Sequence, residues 1–255
     1  MMKNWICVAN NLITTVYTKQ LMPRHTHEEK HFHSSELVTD IVIGMSDGLT
    51  VPFALAAGLS GVHDIHTSTI ITAGFAEIVA GSIAMGLGGY LAGKTEIDHY
   101  NAEQKREEWE VDNLPDKEKE EVREIFEGMG MSPETQRQIV EEMAKDKAKW
   151  VDFMMRYELG LEKPDPKRAR NSAMNIGLSY IVGGLIPLSA YFFTAQPLDG
   201  LKWSAVITVI CLFIFGFFKA KATGQNPWAG GIRVMLIGSV AAAAAFFIAR
   251  LFNQG

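Results

Sequence analysis

Residues 40–61 read DIVIGMSDGLTVPFALAAGLSG, and residues 69–93 read TIITAGFAEIVAGSIAMGLGGYLAG. Each stretch is long enough to cross a bilayer, whose hydrocarbon core takes about 20 helical residues. Each also carries acid where lipid should be. A carboxylate at the centre of a spanning helix costs roughly 2.5–3.5 kcal/mol on insertion scales. Asp40 and Asp47 lie seven residues apart and share a helix face. Glu77, Gly81, Met85 and Gly88 form one helical stripe on the second stretch. Gly44 and Gly48 form a small-residue pair, and Gly74, Gly81 and Gly88 recur every seven residues. Both patterns predict close helix neighbours. Pro52 breaks a backbone bond mid-span, which membranes tolerate beside a cavity.

Outward from these two stretches, the 255-residue chain divides sharply. Residues 94–171 hold 15 of the 24 Lys and Arg and 21 of the 29 Asp and Glu. The rest is strongly apolar, with further spans predicted over 171–195, 199–220 and 228–252. The fold class is therefore all-α: a polytopic membrane protein with five transmembrane helices and one hydrophilic helical insert. Its segments are a tail (1–34), spans one and two (35–93), the insert (94–170) and spans three to five (171–255). Within the insert, helices are expected to run to about Val111, from Pro115 to Gly128, from Ser132-Pro133 to about Lys145, and over Lys147–Leu159. The piece Lys163-PDPKRAR reads as a stiff basic linker. Cys7 and Cys211 lie far apart, and no disulfide is expected.

Basic residues orient the chain. The tail, the insert and the 219–233 region hold 22 of the 24 Lys and Arg, leaving only Lys202 and Arg250 opposite. The positive-inside rule puts the N-terminus and insert in the cytosol and the C-terminus across the membrane. The net charge of −5 argues against nucleic acid and for cations as partners.

Asp47 and Glu77 offer hard oxygens and Met85 a soft thioether, a mixed set suited to Fe²⁺ better than to Ca²⁺ or Mg²⁺, and Asp40 on the Asp47 face is a further candidate for the same path. The same carboxylates can hold protons, the minimal requirement for exchange. The plainer reading leaves Asp40 at the headgroup boundary, Glu77 paired with a polar neighbour and Met85 in the core. In the insert, Glu103, Glu107 and Glu110 form one stripe. Glu118 and Glu121 form a second, and Met154, Met155 and Glu158 a third. If these helices pack together, carboxylates and thioethers converge; otherwise they are a solvated face. His25, His27, His31 and His33, with Glu28 and Glu29, could also collect metal, although termini are usually mobile and solvated.

Residues 40–61, the Glu77-to-Met85 stripe with the GLGGYLA after it, and 151–169 (VDFMMRYELGLEKPDPKRA) resemble the plant-type vacuolar iron transporter family. The likeness runs over about residues 30–252. It implies a homodimer in the vacuolar membrane, with the path at the dimer interface. It implies Fe²⁺ as substrate, moved from cytosol to vacuole against protons, with Mn²⁺, Co²⁺ and Zn²⁺ also accommodated. It implies that Asp47, Glu77 and Met85 line the path. It assigns Glu107, Glu110, Glu118, Glu121, Met154, Met155 and Glu158 to a cytosolic metal-binding domain. Glu103 fits only the stripe, and the histidine-rich tail lies outside the pattern. Two rivals stand beside this reading. One is a passive divalent-metal channel. The other is a membrane-anchored metal enzyme, disfavoured because bundle di-iron sites pair Glu with His and no histidine follows His99 within the insert.

Overall fold

Helix starts in this chain carry a chemical mark. Pro115, Pro133 and Pro197 each sit at a first helical turn, where a missing N–H costs nothing. Ser132 and Asp146 accept hydrogen bonds from Thr135 N and Lys149 N, and Asn226 Oδ1 accepts from Trp228 N and Ala229 N. The computed structural model describes residues 35–252, and those residues contain helices and no strand. In order they are α1 (Ser35–Ser60), α2 (Thr67–Asn113), α3 (Pro115–Gly128), α4 (Pro133–Met143), α5 (Lys147–Tyr157), α6 (Arg168–Ser189), a 3₁₀ turn (Ala190–Phe193), α7 (Pro197–Ala222) and α8 (Pro227–Phe252). The histidine-rich tail and Cys7 lie outside the described residues.

Five of these helices, α1, α2, α6, α7 and α8, are long and apolar enough to cross a membrane. Helix α2 has 47 residues and is about 70 Å long, more than twice a bilayer core. Its apolar part ends near Gly93, and the remainder enters the insert as one continuous rod. Side chains such as Val79, Ile83 and Leu87 point outward from the apolar part. That is the expected arrangement where lipid, not water, is the solvent.

Glycine sets the helix packing. A methyl group at Gly44 or Gly48 would collide with the α6 backbone at Ile176 and Tyr180. The small-residue pair on α1 therefore seats that helix directly on α6. On α2 the buried seam runs Gly74, Ile78, Ser82, Gly86, Gly89 and Gly93. A Cβ at Gly93 would lie 2.7 Å from Ala169 Cα. The seven-residue repeat read from the sequence holds at Gly74 and Gly81 but fails at Gly88, which has nothing within 4 Å. A straight helix drifts about 20° per heptad, so a fixed repeat walks off the seam.

The insert has its own core of Tyr100, Val111, Val122, Val140, Trp150 and Val151, joined by Met154 and Met155. Helices α2 to α5 contribute to it. The basic linker is shorter than its composition suggests. Arg168 already belongs to α6 and turns inward rather than to a surface.

Candidate metal path and insert metal centre

Asp40 is 1% exposed and fully partnered. Its Oδ2 accepts from Arg168 Nη1 at 2.9 Å and from Asn175 Nδ2 at 3.4 Å. Its Oδ1 accepts from Ser172 Oγ at 3.0 Å and from Arg168 Nη2 at 3.4 Å. Every donor comes from the first two turns of α6. The Gly44 and Gly48 contacts bring α1 close enough to α6 for this cage to close. An ionised carboxylate with two donors on each oxygen has no vacant lone pair aimed at a ligand.

Asp47 and Glu77 are placed differently. Both are half-buried, as is Met85. Tyr180 of α6 donates its hydroxyl to Glu77 Oε1. It also lies close enough to Asp47 to interact with its charge. Gly81 makes this possible, because a Cβ there would overlap the Tyr180 ring. The plainer sequence reading, a polar partner for Glu77, holds for one of its oxygens. The other, Oε2, is buried and has no partner among the described residues. Buried oxygens without partners are rare in folded proteins and point to a missing ligand or proton.

The insert gathers a second set of acids. Oxygens of Glu107, Glu110 and Glu118 lie within 4.8 Å of one another, and so do those of Glu118, Glu121 and Glu158. The two trios share Glu118. Glu107 is 1% exposed and Glu118 0%. Glu107 Oε1, both oxygens of Glu118 and Glu121 Oε2 are buried without partners. Helix α2 has left its apolar part by this point; Glu107 is roughly four turns beyond Gly93. Burial, then the adjacent Glu118 carboxyl, pushes the Glu107 carboxyl up to about 8. Burial also raises Glu118 and Glu158; at Glu118 the adjacent Glu107 carboxyl works against this, while the charges of Glu121 and Glu110 add to it at both. The nearby cations sit at the rim: Lys117 pairs with Glu121 at 2.8 Å, and Arg106 approaches Glu110 at 3.9 Å. Neither forms an ion pair with Glu107 or Glu118. Crowded, buried carboxylates are held together at a cost unless a cation or protons neutralise them. Three oxygens at this spacing are a fitting donor set for a divalent ion.

Glu103 stays outside both trios; it pairs with Arg106 and lies 4.0 Å from His99. Met154 and Met155 are 0% and 1% exposed within the apolar core of the insert. Four groups escaped the sequence reading: Tyr180, Arg168, Ser172 and Asn175. Only Arg168 carried a signal, as a charge beside a predicted span. Nothing in a single sequence aims a tyrosine at an acid more than a hundred residues away.

The sequence model of the VIT family matches residues 38–250, the whole helical body just described. The chain belongs to the VIT family. Its plant relatives agree over nearly their full length. Vacuolar iron transporter 1 of Tulipa gesneriana is 51% identical over 88% of this chain and 90% of its own. Vacuolar iron transporter 1 of Arabidopsis thaliana is 50% identical over 92% of this chain and 94% of its own. Protein CCC1 of Saccharomyces cerevisiae is 40% identical over 85% of this chain and 69% of its own. As a VIT family member with five apolar helices, the chain is a multi-pass membrane protein.

Proposed function

We propose that this protein carries Fe²⁺ from the cytosol into the vacuole in exchange for protons, and that it works as a homodimer. The observation that carries the reading is the pair of acid sets with unpartnered buried oxygens, one in the spans at Glu77 and one in the insert at Glu107, Glu118 and Glu121. The names of the relatives supply the ion and the compartment. In this reading residues 94–170 are a cytosolic metal-binding domain, and the N-terminus shares that side. The C-terminus is lumenal. Manganese, cobalt and zinc ions also fit a site of oxygens and thioethers, at a lower priority than iron.

The steps follow from the charges. The insert's acids raise the local concentration of divalent cations at the cytosolic side. Glu107, Glu110, Glu118, Glu121 and Glu158 hold the ion, with Met154 and Met155 as adjacent thioethers and Glu103 steering from the rim. The ion then passes to Asp47, Glu77 and Met85. A second copy would complete the coordination of these half-buried groups about a two-fold axis. Asp40 stands at the inner end of this path. Caged by Arg168, it fixes α1 against α6 there rather than binding the ion. Protons from an acidic lumen neutralise Asp47 and Glu77 and weaken their hold on the metal. Tyr180 keeps the Glu77 carboxyl oriented in both states.

The test is Fe²⁺ entry into proteoliposomes with internal pH followed in the same vesicles. Faster entry into an acid interior, with coupled proton loss that disappears in Asp47→Asn and Glu77→Gln, is the expected result. Equal entry at both internal pH values, with those variants still active, would leave a passive channel as the better reading.

A further inference from the structure

Tyr180 of α6 is 2% exposed and is seated by a glycine on each side. Gly48 of α1 lies against its backbone, and Gly81 of α2 lies against the end of its ring; a Cβ at either position would collide with it. Gly48 follows Asp47, and Gly81 stands one turn beyond Glu77. The residues that fix the tyrosine are thus neighbours of the two acids in the spans. Its hydroxyl donates to Glu77 Oε1. Glu77 Oε2 is buried and has no partner among the described residues.

This arrangement makes the two oxygens of one carboxylate unequal. An ionised carboxylate offers about four lone pairs and can grip an ion through both oxygens at once. The tyrosine proton takes a lone pair on Oε1 and draws charge from that oxygen, while Oε2 keeps its full capacity. An ion arriving at Glu77 therefore gains one strong oxygen donor from it, not two. The loss matters more to some ions than to others. Calcium takes about six to eight oxygen ligands and fills such a shell with the help of bidentate carboxylates. A first-row ion such as Fe²⁺ needs fewer donors and accepts a thioether such as that of Met85. Magnesium keeps several of its waters, so one oxygen from a carboxylate suffices.

We propose that Tyr180 is a specificity-determining residue of the path: by holding Glu77 Oε1 it leaves this carboxylate one free oxygen, and so disfavours Ca²⁺ against Fe²⁺. It acts through Glu77 and does not itself bind the ion. This role rests on the transport reading given above. It adds to that reading a means of selection, by oxygen count, that is separate from the Met85 thioether.

The experiment measures Fe²⁺ entry into proteoliposomes of full-length protein, at one fixed internal pH, against rising external Ca²⁺ or Mg²⁺. Tyr180→Phe removes only the hydroxyl. The Ca²⁺ concentration that halves Fe²⁺ entry should fall by about tenfold or more, the scale on which groups that orient metal ligands act. Inhibition by Mg²⁺ should stay as in wild type. Gly81→Ala keeps the tyrosine but crowds its hydroxyl away from Glu77, and should shift Ca²⁺ inhibition in the same direction. The insert is the same in all three proteins, so its own affinity for Ca²⁺ cancels from the comparison. Unshifted Ca²⁺ inhibition in Tyr180→Phe, or in Gly81→Ala where the first variant does not fold, overturns the proposal. So does an equal gain in Ca²⁺ and Mg²⁺ inhibition, which would mean a loosened site and not a change in oxygen count. Loss of entry in both variants, with wild-type melting behaviour, would make Tyr180 a requirement for conduction and overturn its role in selection. Absence of Fe²⁺ entry in wild type would instead bring down the transport reading, and this role with it.

Discussion

Two buried acids in this molecule, Asp40 and Glu118, meet opposite environments. Asp40 lies in the bundle, 1% exposed, with Arg168, Ser172 and Asn175 occupying both oxygens. Glu118 lies in the insert, 0% exposed, with other carboxylates about it and no partner on either oxygen. Burial of an acid is costly in both places. In the first the protein supplies the countercharge itself, permanently. In the second it withholds one. An acid with its own cation is a structural joint; acids with only each other leave the cation to be supplied from solution. The contrast separates an acid that joins two helices from the acids proposed to take up metal, which the identity of the side chain alone does not do.

The comparison is broken most severely by removing the permanent cation. Arg168→Ala leaves Asp40 buried and uncompensated, an effect of about 3–5 kcal/mol on stability. The expected outcome is poor recovery of folded protein and a much lower melting temperature by size-exclusion thermal stability. Adding Asp40→Asn should restore much of the loss, because a neutral amide needs no countercharge. If Arg168→Ala melts as wild type does, the ion pair is not a joint.

The reverse holds in the insert. Glu107→Gln with Glu118→Gln removes like-charge crowding, so the metal-free protein should lose no stability. Metal affinity of the insert should fall by more than about a hundredfold, since each trio loses at least one ligand. Titration with Mn²⁺ or Zn²⁺ would measure it. Undiminished binding would place the site elsewhere.

The acid pattern shows what a sequence can and cannot yield. Carboxylates in apolar runs and glutamates at helical spacing were legible, because each follows from periodicity along one element. The starts of α3 and α5, with Pro115 and the residue after Asp146, were legible for the same local reason. What each acid faces was not. Asp40 and Asp47 share a helix face in the sequence, yet one is caged and the other is not, and the difference lies in α6. Glu103 fits the stripe as well as Glu107 does, but the approach of α3 selects Glu107 and leaves Glu103 to Arg106. Tertiary partners separated by about a hundred residues leave no trace in spacing.

A smaller effect follows from the proton inventory. Glu107 is raised from 4.5 to about 8, and Glu118 and Glu158 are raised with it. Between those values the folded insert binds more protons than the unfolded chain, so stability falls as pH rises. Metal-free protein should therefore show faster local opening of α3 at pH 8 than at pH 6, after correction for intrinsic exchange. Hydrogen exchange would read this, with a shift equivalent to several degrees in melting temperature. Added Mn²⁺ should cancel or reverse the trend, because metal replaces the protons. A flat profile in chelator would mean the acids are less crowded than their geometry implies.

The least perturbing test concerns two adjacent glycines on α2. Gly89 sits on the seam, where a Cβ would lie 2.7 Å from Ile176 Cδ1 and 2.9 Å from Ser172 Oγ. Gly88 has nothing within 4 Å. Gly89→Ala should destabilise the protomer by about 1–3 kcal/mol through overpacking. Gly88→Ala should leave it unchanged or stabilise it by up to about 1 kcal/mol, the gain in helix propensity. Yet Gly88 lies on the stripe of Glu77 and Met85, the face that a second copy is proposed to cover. If so, Gly88→Ala should preserve melting behaviour while lowering the dimer fraction and Fe²⁺ entry together. Intact dimer and transport in Gly88→Ala would mean that the face has room to spare, and that the partner approaches the acids from another direction. A methyl group without a neighbour inside one protomer thus probes the neighbour outside it.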